Sequence, residues 1–171
     1  MRIIISPAKK MNMDTDSLAW RELPRFLDRT EQLAALLQRM DYDALKKLWK
    51  CNDQIAALNV DRLANMDLHS RLTPAVLAYE GIQYQYMAPD VFTQKEYDYV
   101  QEHLRILSGF YGILKPFDGV TPYRLEMQAK LKESMQAYTD ERGEMDLQDR
   151  LLRQAAATLD FTVDPQTLET A

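Results

Sequence analysis

The sequence predicts an α+β protein in which a small mixed β-sheet is wrapped by helices. The first observation is a run of β-branched apolar residues within 2–6, which stops at Ser6-Pro7 and is typical of a buried strand followed by a loop. The second is a series of downstream segments with apolar residues at helical spacing. The third is the pair of short aromatic segments at 78–87 and 110–114, which need a sheet to pack against.

Initiating and capping residues mark where the helices begin. Pro24 opens the first one, because its fixed φ angle suits a first helical turn. The further starting points are Asp41 or Asp43, Asn52 or Asp53, Thr73 before Pro74, and Thr93. Residues 78–87 alternate only in part, which fits either a strand or an irregular segment. We expect a strand at 123–127 and a last amphipathic helix at 144–159.

The helix that Thr93 caps runs into an apolar hairpin. One face of this helix carries Tyr97, Val100, Leu104 and Leu107. Ser108-Gly109 ends it, since glycine favours the turn after a helix. With Gly112 three residues further on, the segment 94–116 resembles the first half of a helix-hairpin-helix motif, in which backbone N–H groups approach DNA phosphates. An ordinary helix end followed by a tight turn is the alternative interpretation.

Charge divides the chain into two parts. Residues 1–131 carry 17 basic and 17 acidic residues, whereas residues 132–171 carry 4 and 9 and so account for the whole net charge of −5. We therefore expect a neutral domain over 1–131 and an acidic tail with one helix over 132–171. The apolar fraction of 46% supplies a core, and no apolar run is long enough to span a membrane. The single Cys51 excludes an intrachain disulfide and suits a reducing compartment such as the cytoplasm.

The sequence shows no signature of a metal or cofactor site. His69 and His103 lie 34 residues apart, and Cys51 has no partner at zinc-finger spacing. Phosphate-binding loops of the Walker type, dinucleotide fingerprints and nucleophile elbows are also missing from the sequence. We therefore predict neither a metal nor a cofactor.

Two further polar segments could carry chemistry. In the first, Ser6 and Lys9 follow the first strand, where a hydroxyl and a point charge could bind an anion or simply form a solvated basic loop. In the second, Arg124 and Glu126 share one face of an extended segment. They form either a structural ion pair or a cation and a carboxylate that face a ligand.

Three segments in this order resemble the signature of the YaaA family. They are Ile5–Lys9 (Ile-Ser-Pro-Ala-Lys), Leu104–Pro116 and Pro122–Met127 (Pro-Tyr-Arg-Leu-Glu-Met), and the segment 78–84 is similar as well. The resemblance covers about residues 1–131. After Leu131 the chain departs from the family pattern, as a shortened relative would.

The resemblance implies a bacterial, cytoplasmic protein of the hydrogen peroxide stress response. It implies that such a protein binds DNA non-specifically through a basic cleft with a helix-hairpin-helix-like element, and helps to limit iron-dependent damage. Carried over by motif, the cations of the cleft are Lys9, Arg105, Lys115 and Arg124. The hairpin residues carried over are Ser108, Gly109, Tyr111 and Gly112.

An enzyme is the alternative that the same residues leave open. Lys9 and Arg124 would then bind a small anionic or nucleotide-like substrate in the cleft, and Glu126 would act as the general base. The carboxylate of Glu126 supports the enzyme, since binding to the DNA backbone does not require a carboxylate. We favour the DNA-binding protein without a reaction of its own.

Overall fold

The computed structural model describes residues 3–125. These residues form seven strands, six α-helices and one 3₁₀ turn at Pro89–Val91. The helices are α1 Leu27–Gln38, α2 Tyr42–Trp49, α3 Asp53–Ala64, α4 Ala75–Ala78, α5 Ile82–Met87 and α6 Gln94–His103. The strands are β1 Ile3–Ile5, β2 Lys10–Met11, β3 Thr73–Pro74, β4 Tyr79–Glu80, β5 Leu104–Ser108, β6 Gly112–Leu114 and β7 Gly119–Val120.

The central sheet has the strand order β1-β5-β6 and is mixed, as predicted. β1 runs parallel to β5, with Ile5 opposite Ile106. β6 returns antiparallel to β5, with Ser108 opposite Gly112. Two small antiparallel ladders, β2 with β4 and β3 with β7, join the rest of the chain to it. The α+β class predicted from the sequence is confirmed.

Helix α3 packs against both α1 and α2, and the three helices supply much of the core. Leu37 of α1, Leu48 of α2 and Leu63 of α3 are all buried together with Ile106 and Leu114 of the sheet. Removing such apolar surface from water is the main source of stability for this arrangement.

For α2 and α3 the sequence left two candidate capping residues each, and side-chain hydrogen bonds show which of them caps the helix. The carboxylate of Asp41 accepts the N–H of Ala44 at 2.8 Å, so Asp41, and not Asp43, caps α2. The side chain of Asn52 likewise accepts the N–H of Ile55 at 2.9 Å at the start of α3. Each bond satisfies a backbone donor that the first turn of a helix leaves unpaired.

Replacing the cap of α2 should weaken the fold measurably. We expect Asp41→Ala to lower the free energy of unfolding by about 1 kcal/mol, because the N–H of Ala44 loses its acceptor. Urea denaturation followed by circular dichroism measures this. Asp43→Ala, in the same first turn but without the cap bond, is the matched control; an equal loss in both variants would contradict the assignment of the cap.

The predicted helix-hairpin-helix-like element is not found within residues 3–125. Helix α6 ends at His103, so the prediction that it continues to Ser108 is wrong. Residues 104–108 form a strand with alternating buried and half-buried side chains, and the hairpin that follows is a β-hairpin. The spacing of Leu104 and Leu107 fits a helix as well as a strand. Backbone pairing with β1 selects the strand.

Other element predictions need smaller corrections. Thr73 and Pro74 lie in β3, and the helix after them begins at Ala75. Residues 78–87 contain the two-residue strand β4 and then helix α5, not one strand or an irregular segment. The first strand is not buried throughout, since Ile4 is 44% exposed. Residues 123–125 are not part of a strand, and the predicted helix at 144–159 lies outside the described residues, as does the whole tail 132–171.

Candidate functional site

Two of the signature segments leave the sheet at the same edge. β1 and β5 are parallel, with Ile5 opposite Ile106, so the loop that begins at Ser6 and the turn that begins after Ser108 both follow the carboxyl ends of strands. In sheets with parallel strands this edge is where ligands commonly bind.

Ser108 organises the turn of the β-hairpin from inside the protein. Its Oγ accepts the backbone N–H groups of Phe110 at 3.1 Å and Tyr111 at 2.9 Å, and it lies 2.6 Å from the hydroxyl of Tyr123. A serine oxygen has two acceptor positions, and both are taken by the N–H groups. Ser108 therefore donates its own hydrogen to Tyr123.

The hydroxyl of Tyr123 continues this chain of hydrogen bonds to Tyr79. The two phenolic oxygens are 3.0 Å apart and both rings are buried. Since Tyr123 already accepts from Ser108, it donates to Tyr79. Burial raises the pKa of Tyr79 and of Tyr123 above the ordinary tyrosine value, so both hydroxyls keep their protons at neutral pH.

Tyr84 ties the first signature loop to the same cluster. Its ring lies 5.6 Å from that of Tyr79, and its hydroxyl donates to the backbone carbonyl of Ser6 at 2.9 Å. The side-chain amide of Gln83 donates to the same carbonyl. We call Ser108, Tyr123, Tyr79, Tyr84 and the Ser6 carbonyl the tyrosine cluster, because together they connect signature segments that are more than 70 residues apart.

Helix α1 holds the turn from its other side. Thr30 is fully buried and donates to the backbone carbonyl of Phe110 at 3.1 Å. The predicted hairpin residues Ser108, Gly109, Tyr111 and Gly112 are all buried. Gly112 has a φ of 75°, a left-handed conformation that favours glycine. The turn is therefore held inside the protein.

The four predicted cations fall into two groups in the structure. Lys9 is exposed and follows the Ser6 loop, while Arg124 follows Tyr123; both thus extend from backbone that the tyrosine cluster holds. Arg105 and Lys115 lie elsewhere on the sheet. Arg105 projects from the face of β5 opposite to Ser108, and the register of β5 and β6 puts it across from Lys115.

Arg105 and Lys115 also have contacts of their own. The guanidinium of Arg105 donates to the carbonyl of Gln101 at 3.0 Å and to that of Leu104 at 2.6 Å, and so caps the carboxyl end of α6. The ammonium of Lys115 binds the carboxylate of Glu22 at 2.7 Å. Glu126, the base of the enzymatic alternative, lies outside the described residues.

Asp118 is a buried carboxyl group that the sequence did not single out. It is 3% exposed, and its Oδ2 accepts the backbone N–H of Lys115 at 2.9 Å. Its Oδ1 is buried and has no hydrogen-bond partner among residues 3–125. Burial raises its pKa to about 7, against the opposing effect of the Lys115 N–H bond and the charges of Lys115 and Arg105. In the sequence, Asp118 is followed by Gly119, a pair that is typical of a turn and gives no sign of a buried carboxyl group.

Within residues 3–125, no three His, Cys, Asp or Glu side chains lie close enough together to hold a metal ion. The same part of the chain has no helix that is both long and apolar enough to cross a membrane.

The fold and the cluster together define an α+β protein with a helix-wrapped mixed sheet and a buried chain of hydroxyl groups at one sheet edge. A family model described as "Peroxide stress protein YaaA" matches residues 1–164. The chain therefore belongs to the YaaA family of peroxide stress proteins.

Curated relatives carry the description UPF0246 protein. The chain is 59% identical over 132 residues to one from Pediococcus pentosaceus and 61% identical over 132 residues to one from Agathobacter rectalis. A third, from Desulfitobacterium hafniense, is 62% identical over 132 residues. Each match covers 77% of this chain and 53% of the relative, so the chain spans about half the length of these relatives.

Proposed function

We propose that this chain acts in the bacterial cytoplasm in the response to hydrogen peroxide, by binding DNA non-specifically and helping to limit iron-dependent damage to it. Membership of the YaaA family supports the link to peroxide stress. The DNA contacts would be ion pairs between cationic side chains and backbone phosphates, which carry no sequence information.

The observation that carries the proposal is the way the tyrosine cluster holds Ser6 and Tyr123. Lys9 and Arg124 lie 115 residues apart in the sequence. Even so, Lys9 comes three residues after Ser6 and Arg124 directly follows Tyr123, and both Ser6 and Tyr123 are bonded within this one cluster. When the backbone that carries such side chains is held in place, less entropy is lost as they bind phosphate. Ser108, Gly109, Tyr111 and Gly112 contribute by fixing the hairpin, since all four are buried and the hydroxyl of Ser108 accepts the N–H of Tyr111.

Arg105 and Lys115 are assigned a secondary part. In this proposal they widen the basic surface, while Arg105 also caps α6 and Lys115 also pairs with Glu22. Four phosphate contacts would give a slope of about −3 to −4 for the logarithm of the binding constant against the logarithm of the salt concentration.

Charge reversal at Lys9 tests the proposal with the least risk to the fold, because Lys9 is exposed. We expect Lys9→Glu to weaken binding to all duplex sequences alike and to make the salt slope less steep by about 1. Fluorescence anisotropy with labelled duplexes of two unrelated sequences, over a range of salt concentrations, measures both quantities.

Lys95→Glu is the matched control, since it makes the same charge change at an exposed position of α6. It should leave the slope unchanged. Equal losses in Lys9→Glu and Lys95→Glu would show a general charge effect and would overturn the assignment of Lys9. A weakening confined to one of the two sequences would overturn the proposal of non-specific binding.

A further inference from the structure

Asp118 lies where three segments of the chain meet. It closes the turn that begins at Lys115, since its N–H donates to the Lys115 carbonyl at 3.1 Å. Its own carbonyl accepts the N–H of Ala75, the first residue of α4, at 2.9 Å. The third segment is residues 20–22, because Glu22 forms an isolated parallel β-bridge with Asp118. We call residues 20–22 the strap.

The strap lies on residues 117–119 through a small set of contacts. The N–H of Arg21 donates to the Phe117 carbonyl at 2.8 Å, and the N–H of Gly119 donates to the Glu22 carbonyl at 2.9 Å. The guanidinium of Arg21 lies 4.5 Å from the centre of the Phe117 ring. Trp20 packs so closely on Gly119 that a Cβ there would come within 3.0 Å of the indole, yet Trp20 is 37% exposed. The strap is therefore a surface segment whose individual bonds each stabilise it only modestly.

The charged groups around Asp118 are already engaged elsewhere. The ammonium of Lys115 binds the carboxylate of Glu22 at 2.7 Å, and the guanidinium of Arg105 donates to two backbone carbonyls at the end of α6. Both residues of β3, which pairs with β7, are uncharged. Among residues 3–125, Oδ1 of Asp118 has no hydrogen-bond partner. A negative charge on Asp118 would therefore face the like charge of Glu22 without a cation bonded to it.

An ionised carboxyl group needs water or a partner, because burying its charge alone is costly. Burial accordingly raises the pKa of Asp118 to about 7, and the charge of Glu22 acts in the same direction. Phe117 of the turn and Val120 of β7 are buried, so moving either segment would expose core side chains. The strap can move aside with less loss of buried surface and so admit water to the carboxylate.

We propose that the strap is a lid over Asp118 and that the protonation of this carboxyl group controls its position. While Asp118 holds its proton, the strap lies closed on residues 117–119. When Asp118 releases the proton to the solvent, its charge repels Glu22, the strap lifts, and water solvates the carboxylate. Trp20 then leaves Gly119 and becomes fully exposed.

Trp20 reports the position of the strap, because it is part of it. The full chain would be excited at a wavelength that selects tryptophan and quenched with acrylamide, which is uncharged over the whole pH range. Trp49, the other tryptophan, is 4% exposed and contributes little to the quenching. Opening takes Trp20 from 37% towards complete exposure, so we expect its quenching constant to rise about two- to threefold, with a midpoint near pH 7. A constant that stays level across this range in the folded chain would overturn the proposal.

Two variants and a control assign the step. Asp118→Asn should abolish it and keep the quenching constant at its low-pH value, because asparagine cannot ionise. Asp90→Asn, at an exposed aspartate, should leave the step unchanged. Trp20→Phe should remove the step, which would identify Trp20 as its source. A step that persists in Asp118→Asn or in Trp20→Phe would show that another group titrates or that another segment moves, and either result would contradict the lid.

Glu22→Gln tests the cause of the opening. Glutamine carries no charge to raise the pKa of Asp118, and it leaves the ammonium of Lys115 available to the carboxylate. Both changes favour the ionised form, so the midpoint of the step should move below pH 7. A midpoint that stays in place would show that repulsion by Glu22 does not drive the strap open.

Discussion

Ser108→Ala is expected to destabilise the protein by about 3 kcal/mol, as the sum of several buried bonds lost at once. The serine oxygen accepts the N–H groups of Phe110 and Tyr111 and donates to Tyr123, and all of these groups are buried. Alanine offers neither acceptor nor donor. Urea denaturation, read as the free energy of unfolding, measures the loss.

Tyr123→Phe separates the turn from the rest of the tyrosine cluster. It removes the bonds to Ser108 and Tyr79 but leaves Ser108 to accept the two N–H groups of the turn. We expect Tyr123→Phe to lower the free energy of unfolding by about 1–2 kcal/mol, less than Ser108→Ala does. The variant with both substitutions should lose less than the sum of the two single losses, because both remove the same Ser108–Tyr123 bond. A Ser108→Ala variant within about 0.5 kcal/mol of the unsubstituted protein would contradict the role assigned to Ser108.

Helix starts marked by a capping side chain were the part of the fold that local sequence could best predict. The starts predicted at Pro24 and Thr73 are wrong, since α1 begins at Leu27 and Thr73 lies in β3. Asp41 and Asn52 act within one turn of their own position, so their capping depends on neighbours three residues away. Thr93 acts in the same local way, together with Glu96, whose carboxylate accepts the Thr93 N–H at 2.6 Å. The first strand was predicted for a similar reason, since three successive isoleucines favour an extended chain.

Strand β5 could not be predicted from local spacing alone. Its segment fits a helical face through Leu104 and Leu107, and it fits a strand through Leu104, Ile106 and Ser108. The choice is made by β1, which is about 100 residues away and pairs with residues 104–106 of β5. Non-local pairing of this kind overrides helix propensity, and it replaces the expected helix-hairpin-helix-like element with a β-hairpin.

The candidate site was predicted as separate segments but not as a connected cluster. Ser6, Ser108 and Arg124 were identified within their segments, whereas Tyr79 and Tyr84, which join those segments, fell in a stretch recognised only for its likeness to relatives. Trp49 and Asp118 were missed because burial without a hydrogen-bond partner is a property of the folded chain. No spacing along the sequence signals it.

Asp118 is expected to make the protein less stable as the pH rises from about 4 to about 7. Burial raises its pKa from the ordinary 3.8 to about 7, with the nearby carboxylate of Glu22 acting in the same direction and the cations Lys115 and Arg105 acting against it. In this pH window the folded chain holds a proton on Asp118 that the unfolded chain has released. The contribution is therefore fully present below pH 3.8 and is lost as the pH passes through about 7.

The size of the effect follows from the same pKa values. Each pKa unit corresponds to about 1.4 kcal/mol, so the loss amounts to at most about 4 kcal/mol over the whole window. Other carboxylates change stability in the opposite sense, because hydrogen bonds lower the pKa of Asp14, Asp67 and Glu96. The contribution of Asp118 must for this reason be measured as a difference between variants at each pH.

Asp118→Asn supplies that difference. Asparagine keeps a carbonyl oxygen for the N–H of Lys115 but cannot ionise, so the variant should gain stability relative to the unsubstituted protein as the pH rises from 4.5 to 7.5, by about 2–4 kcal/mol. Free energies of unfolding from urea titrations at each pH measure the gain. Asp90→Asn, at an exposed aspartate, is the control and should give a flat difference. The carboxyl of Asp118 is buried beside Lys115. If the stability difference between Asp118→Asn and the unsubstituted protein also stayed constant with pH, this carboxyl would ionise in the folded chain without cost. Burial would then not be what raises its pKa.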